Sequence, residues 1–165
     1  MSTSVALAVW QSAVEGGVID LARDGMGARD VTIIERTHLI PEGMPGAFIP
    51  LIGPTESVQL GLVSSPEGCR FLAQALLQEP VPSALSPSDV SDAIGEATNI
   101  LAGFVKRAMQ DHVNPIQLGL PLFVNGHLET SDRVRALVTH IQVGTMKAAI
   151  VVLRAAEWKA LPRAA

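Results

Sequence analysis

Reading from the N-terminus, apolar residues first recur at three- and four-residue spacings, with Val5, Val9, Trp10, Ala13, Val14, Val18 and Leu21 on one side. That period predicts an amphipathic helix from Ser4 to about Asp24, capped by Ser2, Thr3 or Ser4. Gly16-Gly17 is its weak point, since a mid-helix glycine costs up to about 1 kcal/mol relative to alanine, and Gly25 and Gly27 mark its end. The pattern then changes to β-branched runs. Val31 to Ile40 predicts a strand, broken by Pro41, Gly43, Pro45 and Gly46. Ala47 to Ile52 and Ser57 to Ser65 predict a hairpin around Gly53-Pro54-Thr55-Glu56. Ser65 is placed to cap a helix with Pro66 in its first turn and Glu67 beside it, with Phe71, Leu72, Ala75 and Leu76 facing inward. The proline-rich stretch from Gln78 to Pro87 reads as a surface connection.

A second long helix begins near Ser88. After it, Ile116, Leu118, Leu120, Leu122 and Val124 alternate with other residues between Pro115 and Gly126, which predicts one strand closed by the turn signal Asn125-Gly126. Val134 to Gly144 and Thr145 to Arg154 predict two more strands, and the tail from Arg154 to Ala165, with Pro162, is expected to fray or to pack as one short turn. The order is helix, strand, two strands, helix, helix, three strands. It predicts an α+β fold of two layers, a mostly antiparallel mixed sheet covered by long helices, in a single domain over residues 1–165.

Composition narrows the function. The hydrophobic fraction of 48% against 17% charged residues can fill one core. A net charge of −4 supplies no field for a polyanion, so nucleic acid is not an expected partner. The start lacks a basic leader region, and no apolar run approaches the roughly 20 residues needed to cross a bilayer. No membrane partner and a cytoplasmic location are therefore expected. One cysteine, Cys69, and four histidines at positions 38, 112, 127 and 140 show no metal-ligand spacing, so no bound metal is expected. Cys69 near a helix start is a nucleophile candidate without a nearby histidine, and His112, His127 and His140 read as surface or strand-end residues. Asp20 to Asp24 and Ser131 to Arg133 read as solvated charge.

The informative segment is the long helix. At 100° per residue, Val90, Ile94, Ala97, Leu101, Phe104 and Ala108 share one face, while Asp89, Asp92, Glu96, Asn99, Gly103 and Lys106 share the other. Glu96 and Asn99 project side by side, and Gly103 leaves a flat spot one turn below Asn99. Periodicity alone reads this as a solvated face, with Lys106 and Arg107 complementing the helix dipole. Yet an asparagine and a glycine on an exposed helical face do nothing for the fold.

The run Asp92-Ala93-Ile94-Gly95-Glu96-Ala97-Thr98-Asn99-Ile100-Leu101-Ala102-Gly103, followed by Lys106, resembles the signature helix of the CheX-type chemotaxis phosphatases, relatives of CheC and the FliY group. The apolar segment Ile116 to Gly126, with its internal Pro121, resembles the strand that follows this helix in the family. One E-x-x-N is present, as in CheX-like members, whereas CheC-like members tend to carry two. Phe104-Val105 and Leu122-Phe123 depart from the family's usual residues.

The resemblance implies hydrolysis of the aspartyl phosphate on a CheY-type response-regulator receiver domain. Asn99 would orient the attacking water and Glu96 would pair with a receiver lysine, as the two catalytic residues, while Asp92, Gly103 and Lys106 contribute binding surface. The resemblance also implies that magnesium is carried by the receiver, with no cofactor on this chain. The alternative is a non-catalytic module binding a receiver or another signalling partner through the same face; a structural dimer without a receiver partner is a third. A homodimer is expected, because family relatives pair through sheet edges and the last two strands would present an apolar edge if unpaired.

Overall fold

The computed structural model describes residues 4–27, 30–80 and 84–156. Ser2, Thr3 and most of the predicted C-terminal turn lie outside the described residues. Helix α1 spans Leu7–Gly25, later than expected, and its N-cap is Ala6 with no side-chain cap. Ser4 does not cap it because its hydroxyl donates to Glu56 Oε2 instead, at 3.4 Å. Strand β1 (Val31–Thr37) stops short of Ile40. The predicted hairpin is formed by β2 (Gly46–Ile52) and β3 (Ser57–Ser64). Helix α2 (Pro66–Leu77) starts at Ser65, whose side chain accepts a hydrogen bond from Gly68 N, and α3 spans Pro87–Ala108.

The predicted strand from Pro115 to Gly126 is two short strands, β4 (Gln117–Leu118) and β5 (Leu122–Val124), both paired to β2. Gly119 N still donates to the Pro50 carbonyl of β2 at 2.9 Å, but Pro121 cannot donate to a ladder, and the chain steps away from β2 at Leu120 and Pro121. Asn125-Gly126 consequently closes no hairpin. The last two strands, β6 (Val134–Val143) and β7 (Met146–Ala155), are joined through Gly144 at φ 57°. Arg154 is in β7, as the strand prediction has it, and the strand runs one residue further, to Ala155.

All seven strands form one sheet in the order β1-β6-β7-β3-β2-β4, with β5 also on β2. The neighbours are antiparallel. This places β6 and β7 at the centre, which corrects the expected apolar edge. Ala148 to Val152 are all buried, on both faces of the sheet, the pattern of an interior strand. A dimer built through sheet edges has only β1 and the β4–β5 side available.

One face of the sheet carries all three helices. Ala47, Ile49, Leu51, Leu60, Leu62, Ile141, Ile150 and Val152 meet Trp10, Val14, Leu72, Ile94 and Leu101 there in a continuous core. Gly17, the expected weak point of α1, is where α1 crosses α3. A Cβ at Gly17 would lie 3.0 Å from Leu101 Cδ1 and 3.4 Å from Val105 Cγ2, so the glycine allows the two helices to approach closely. On the other face Val63, Val138, Ala149 and Val151 form a small second core with Met44 and Phe48. Met44 belongs to the β1–β2 connection, which must pass from one side of the sheet to the other. His38 in the same connection donates from Nδ1 to the Ala136 carbonyl at 2.8 Å.

The N-terminal segment is fastened to the sheet by charge. Glu56 Oε1 accepts from Val5 N at 2.9 Å, and Glu56 Oε2 pairs with Arg154 Nη1 at 3.2 Å while Arg154 also donates to the Val5 carbonyl. The two side chains are only 6% and 15% exposed, so removing one strands the other in a poorly solvated place. Glu56→Ala is expected to cost about 3 kcal/mol or more in urea unfolding, and the double variant Glu56→Ala/Arg154→Met less than Glu56→Ala alone. A double variant no more stable than the single one would refute the pairing.

Candidate functional site on helix α3

Helix α3 is fixed at its start by a reciprocal cap. Ser86 Oγ accepts from Asp89 N at 3.1 Å and Asp89 Oδ2 accepts from Ser86 N at 2.9 Å. These bonds hold the Asp89 carboxyl below the usual aspartate range. Its inner side buries Val90, Ala93, Ile94, Ala97, Leu101, Ala102 and Val105. Thr98 is fully buried and donates to the Ile94 carbonyl at 2.7 Å, which satisfies its hydroxyl within the helix. Two expected core positions differ. Phe104 is half-buried and Ala108 is exposed, because the apolar stripe drifts around the helix and Val105 and Met109 take the inner places in the last turns.

The outer side carries the predicted site residues together. Asp92, Glu96 and Lys106 are exposed, while Asn99 and Gly103 are half-buried. Glu96 and Asn99 lie at i, i+3 on one helix, about 5–6 Å apart at Cβ. Neither side chain has a hydrogen-bond partner among the described residues, so a carboxylate and an amide stand adjacent and unengaged.

Two features beside this pair escaped the sequence reading. The break between β4 and β5 lays Pro121 over Gly95, where a Cβ would sit 3.8 Å from Pro121 Cβ. It leaves Leu120 and Leu122 exposed, at 87% and 67%. The proline inside an alternating run was the available signal. At the other end, Gly103 and Lys106 open onto a cleft of about 320 Å³ that Arg107, Gln110 and Asn114 also line. A Cβ on Gly103 would meet nothing within 4 Å.

The family model described as chemotaxis phosphatase CheX matches residues 45–142, more than half of the chain, and the protein belongs to that family. The matched segment contains the whole of α3. Among solved structures, the fold is similar to a CheC-like superfamily protein from Shewanella sp. PV-4, with a TM-score of 0.74, 16% identity, and coverage of 90% of this chain and 98% of that one. It is equally similar to the chemotaxis protein CheX of Desulfovibrio desulfuricans, at TM-score 0.74 and 12% identity over 88% and 98% of the two chains. A third similar structure is a CheX–CheY complex with BeF3 and magnesium from Borrelia burgdorferi, at TM-score 0.67 and 16% identity over 92% and 97%. No curated protein matches the sequence.

The other candidates separate from this site. Among the described residues, no group of three or more His, Cys, Asp and Glu side chains is placed to hold a metal ion, and no helix is long and apolar enough to cross a membrane. His112 is exposed and His127 meets Glu129 at 3.1 Å on the surface. His140 is not at a strand end but half-buried within β6, paired with Ala149. Asp20 and Asp24 flank Arg23 in exposed ion pairs, as solvated charge.

Cys69 is buried beneath the start of α2, with Sγ 3.5 Å from the Pro45 carbonyl. Desolvation by burial outweighs the lowering by the backbone hydrogen bond at Ser64 and by the Arg70 charge, and pushes its thiol up to about 11. It is therefore no nucleophile near neutral pH. The stability that this thiol contributes is fully present below about pH 9 and falls as pH rises toward about 11, because the unfolded chain ionises first. At pH 8, iodoacetamide is expected to modify the native protein at least about 100-fold more slowly than the urea-unfolded chain. Equal rates would contradict the burial.

Proposed function

We propose that the protein hydrolyses the aspartyl phosphate of a CheY-type receiver domain, using the outer stripe of α3. The observation that carries this reading is the adjacent, unengaged pair Glu96 and Asn99 on a helix locked in rotation, in a chain of the CheX family. The solved Borrelia burgdorferi relative is a CheX bound to CheY with BeF3 and magnesium, which supports a receiver as the partner class here.

An acyl phosphate already has a good leaving group, so the principal deficit is an oriented nucleophile. Asn99 supplies one acceptor and two donor hydrogens at a single position. Entering the receiver's site, its amide accepts a hydrogen bond from a water molecule and holds that water in line with phosphorus. The water oxygen bonds to phosphorus as the bond from phosphorus to the aspartyl oxygen breaks. The electron pair leaves with the receiver's carboxylate, and the protons of the water end on phosphate and solvent. A magnesium ion belonging to the receiver neutralises charge on the phosphoryl oxygens. Glu96 forms a charge-assisted pair with a receiver lysine, which sets the register of docking.

The two roles predict different kinetic signatures. Asn99→Ala is expected to lower kcat about 100-fold or more, the scale of losing an oriented reactant, with receiver affinity kept. Glu96→Ala is expected to weaken association by about 1–3 kcal/mol and to flatten its salt dependence. The measurement is decay of a phosphorylated receiver alongside binding of the same receiver. Wild-type protein that binds without accelerating decay would favour the non-catalytic module. Full activity in Asn99→Ala would remove this helix from the chemistry.

A further inference from the structure

We infer that the cleft at the C-terminal end of α3 seats an acidic surface of the same receiver, so that the stripe fixes which way round the partner docks. The inference rests on the proposed function. Along α3 the charges are fully segregated. Asp89, Asp92 and Glu96 all precede Asn99, and Lys106 and Arg107 both follow Gly103. Asn99, Gly103 and Lys106 continue one stripe of α3 at four- and three-residue steps, from the proposed reacting centre into the cleft, and Gln110 lines the cleft from the turn that follows the helix.

The cleft is built for more than completing a helix dipole. Cations at a helix C-terminus are stabilising by themselves, but that effect requires neither a cavity nor a bare residue. Here the cavity of about 320 Å³ has Gly103, Lys106, Arg107, Gln110 and Asn114 among its lining residues and no carboxylate. The Arg107 guanidinium lies 5.7 Å from the centre of the Phe104 ring, which restrains it beside the cleft. Neither cation has an ion-pair partner among the described residues. In a chain of net charge −4, an unpaired basic pocket lined with amide donors complements carboxylates of a partner already docked about two turns away.

A receiver oriented this way presents its basic group to Glu96 and its acidic group to Lys106 and Arg107. The reverse orientation sets like charges together at both ends, which costs several kcal/mol at an interface. The charge order therefore supplies polarity and selectivity, while Asn99 supplies chemistry.

The test is steady-state dephosphorylation of one phosphorylated receiver by wild type, Lys106→Glu/Arg107→Glu, Lys106→Gln/Arg107→Gln and Gly103→Leu, across a salt series. The charge reversal is expected to raise KM about 10-fold or more with kcat within about twofold of wild type, and the neutral pair to raise it less and flatten the salt dependence. Gly103→Leu, which fills the cleft without altering charge, is expected to raise KM at every salt concentration. An unchanged KM and salt slope in both double variants, with wild type active, would overturn the inference while leaving the phosphatase reading intact. A loss of kcat at constant KM would also overturn it, as would inhibition by inorganic phosphate that the double variants abolish while keeping the wild-type KM for the receiver. If wild type binds without hydrolysis, Kd replaces KM in each comparison. Wild type that neither binds nor dephosphorylates the receiver overturns the parent reading and this one together.

Discussion

The rotation of α3 about its own axis is set by what it buries, and the outward direction of its polar stripe depends on that. Ile94, Leu101 and Val105 are inaccessible against the sheet and α1. The crossing at Gly17 brings the α1 backbone so close that Leu101 and Val105 have little room to shift. Interiors at this packing density do not deform continuously. A helix turned by one residue, 100°, would drive Glu96 or Asn99 into hydrocarbon. The cost of burying an unpaired carboxylate or amide is therefore what holds the outer stripe facing outward.

That stripe serves one physical purpose within the chain, and the proposed docking would give the same residues a second. Acids early and bases late in a helix are favourable for the isolated element, and Asp89 is also half of the cap. The same gradient, presented to a receiver in the proposed docking, would act as a polarity code. Asn99 and Gly103 fall outside this economy, because neither improves an exposed helix. Their position between the acidic and basic ends is where a partner's reacting group would lie if both ends are matched.

The face of the sheet away from the helices makes the contrast clear. It carries a small buried cluster around Val138 and Val151, with Met44 of the β1–β2 connection packed on it. His38, in that connection, is held by the Ala136 carbonyl. This side consolidates the sheet, and the Glu56–Arg154 pair ties the N-terminal segment to the end of β7. Cys69 shows the same division of labour: a position near a helix start, which would favour an exposed thiolate, is buried, and desolvation raises the thiol.

Local periodicity determined a good deal by itself. The helices, the β2–β3 hairpin, the Ser65 cap and the two faces of α3 are properties of neighbours in sequence, and so is the E-x-x-N pair that carries the resemblance to the CheX family. Strand order is different, since a strand's period tells which side is buried but not which strand lies beside it. The run Ala148 to Val152 carried a sign of two-sided burial, yet only pairing with β3 and β6 placed β7 inside the sheet and removed the supposed apolar edge. The alternating residues from Ile116 to Val124 looked like one strand because alternation does not reveal where a proline leaves the ladder. Leu120 became exposed and Pro121 came to rest on Gly95 through contacts with β2 and α3 that are distant in sequence. The cleft beside Gly103 belongs to the same class. Glycine and lysine could be read as a bare spot and a charge, but a cavity is a relation between the end of α3 and the loop reaching Asn114, and only the packed chain creates it.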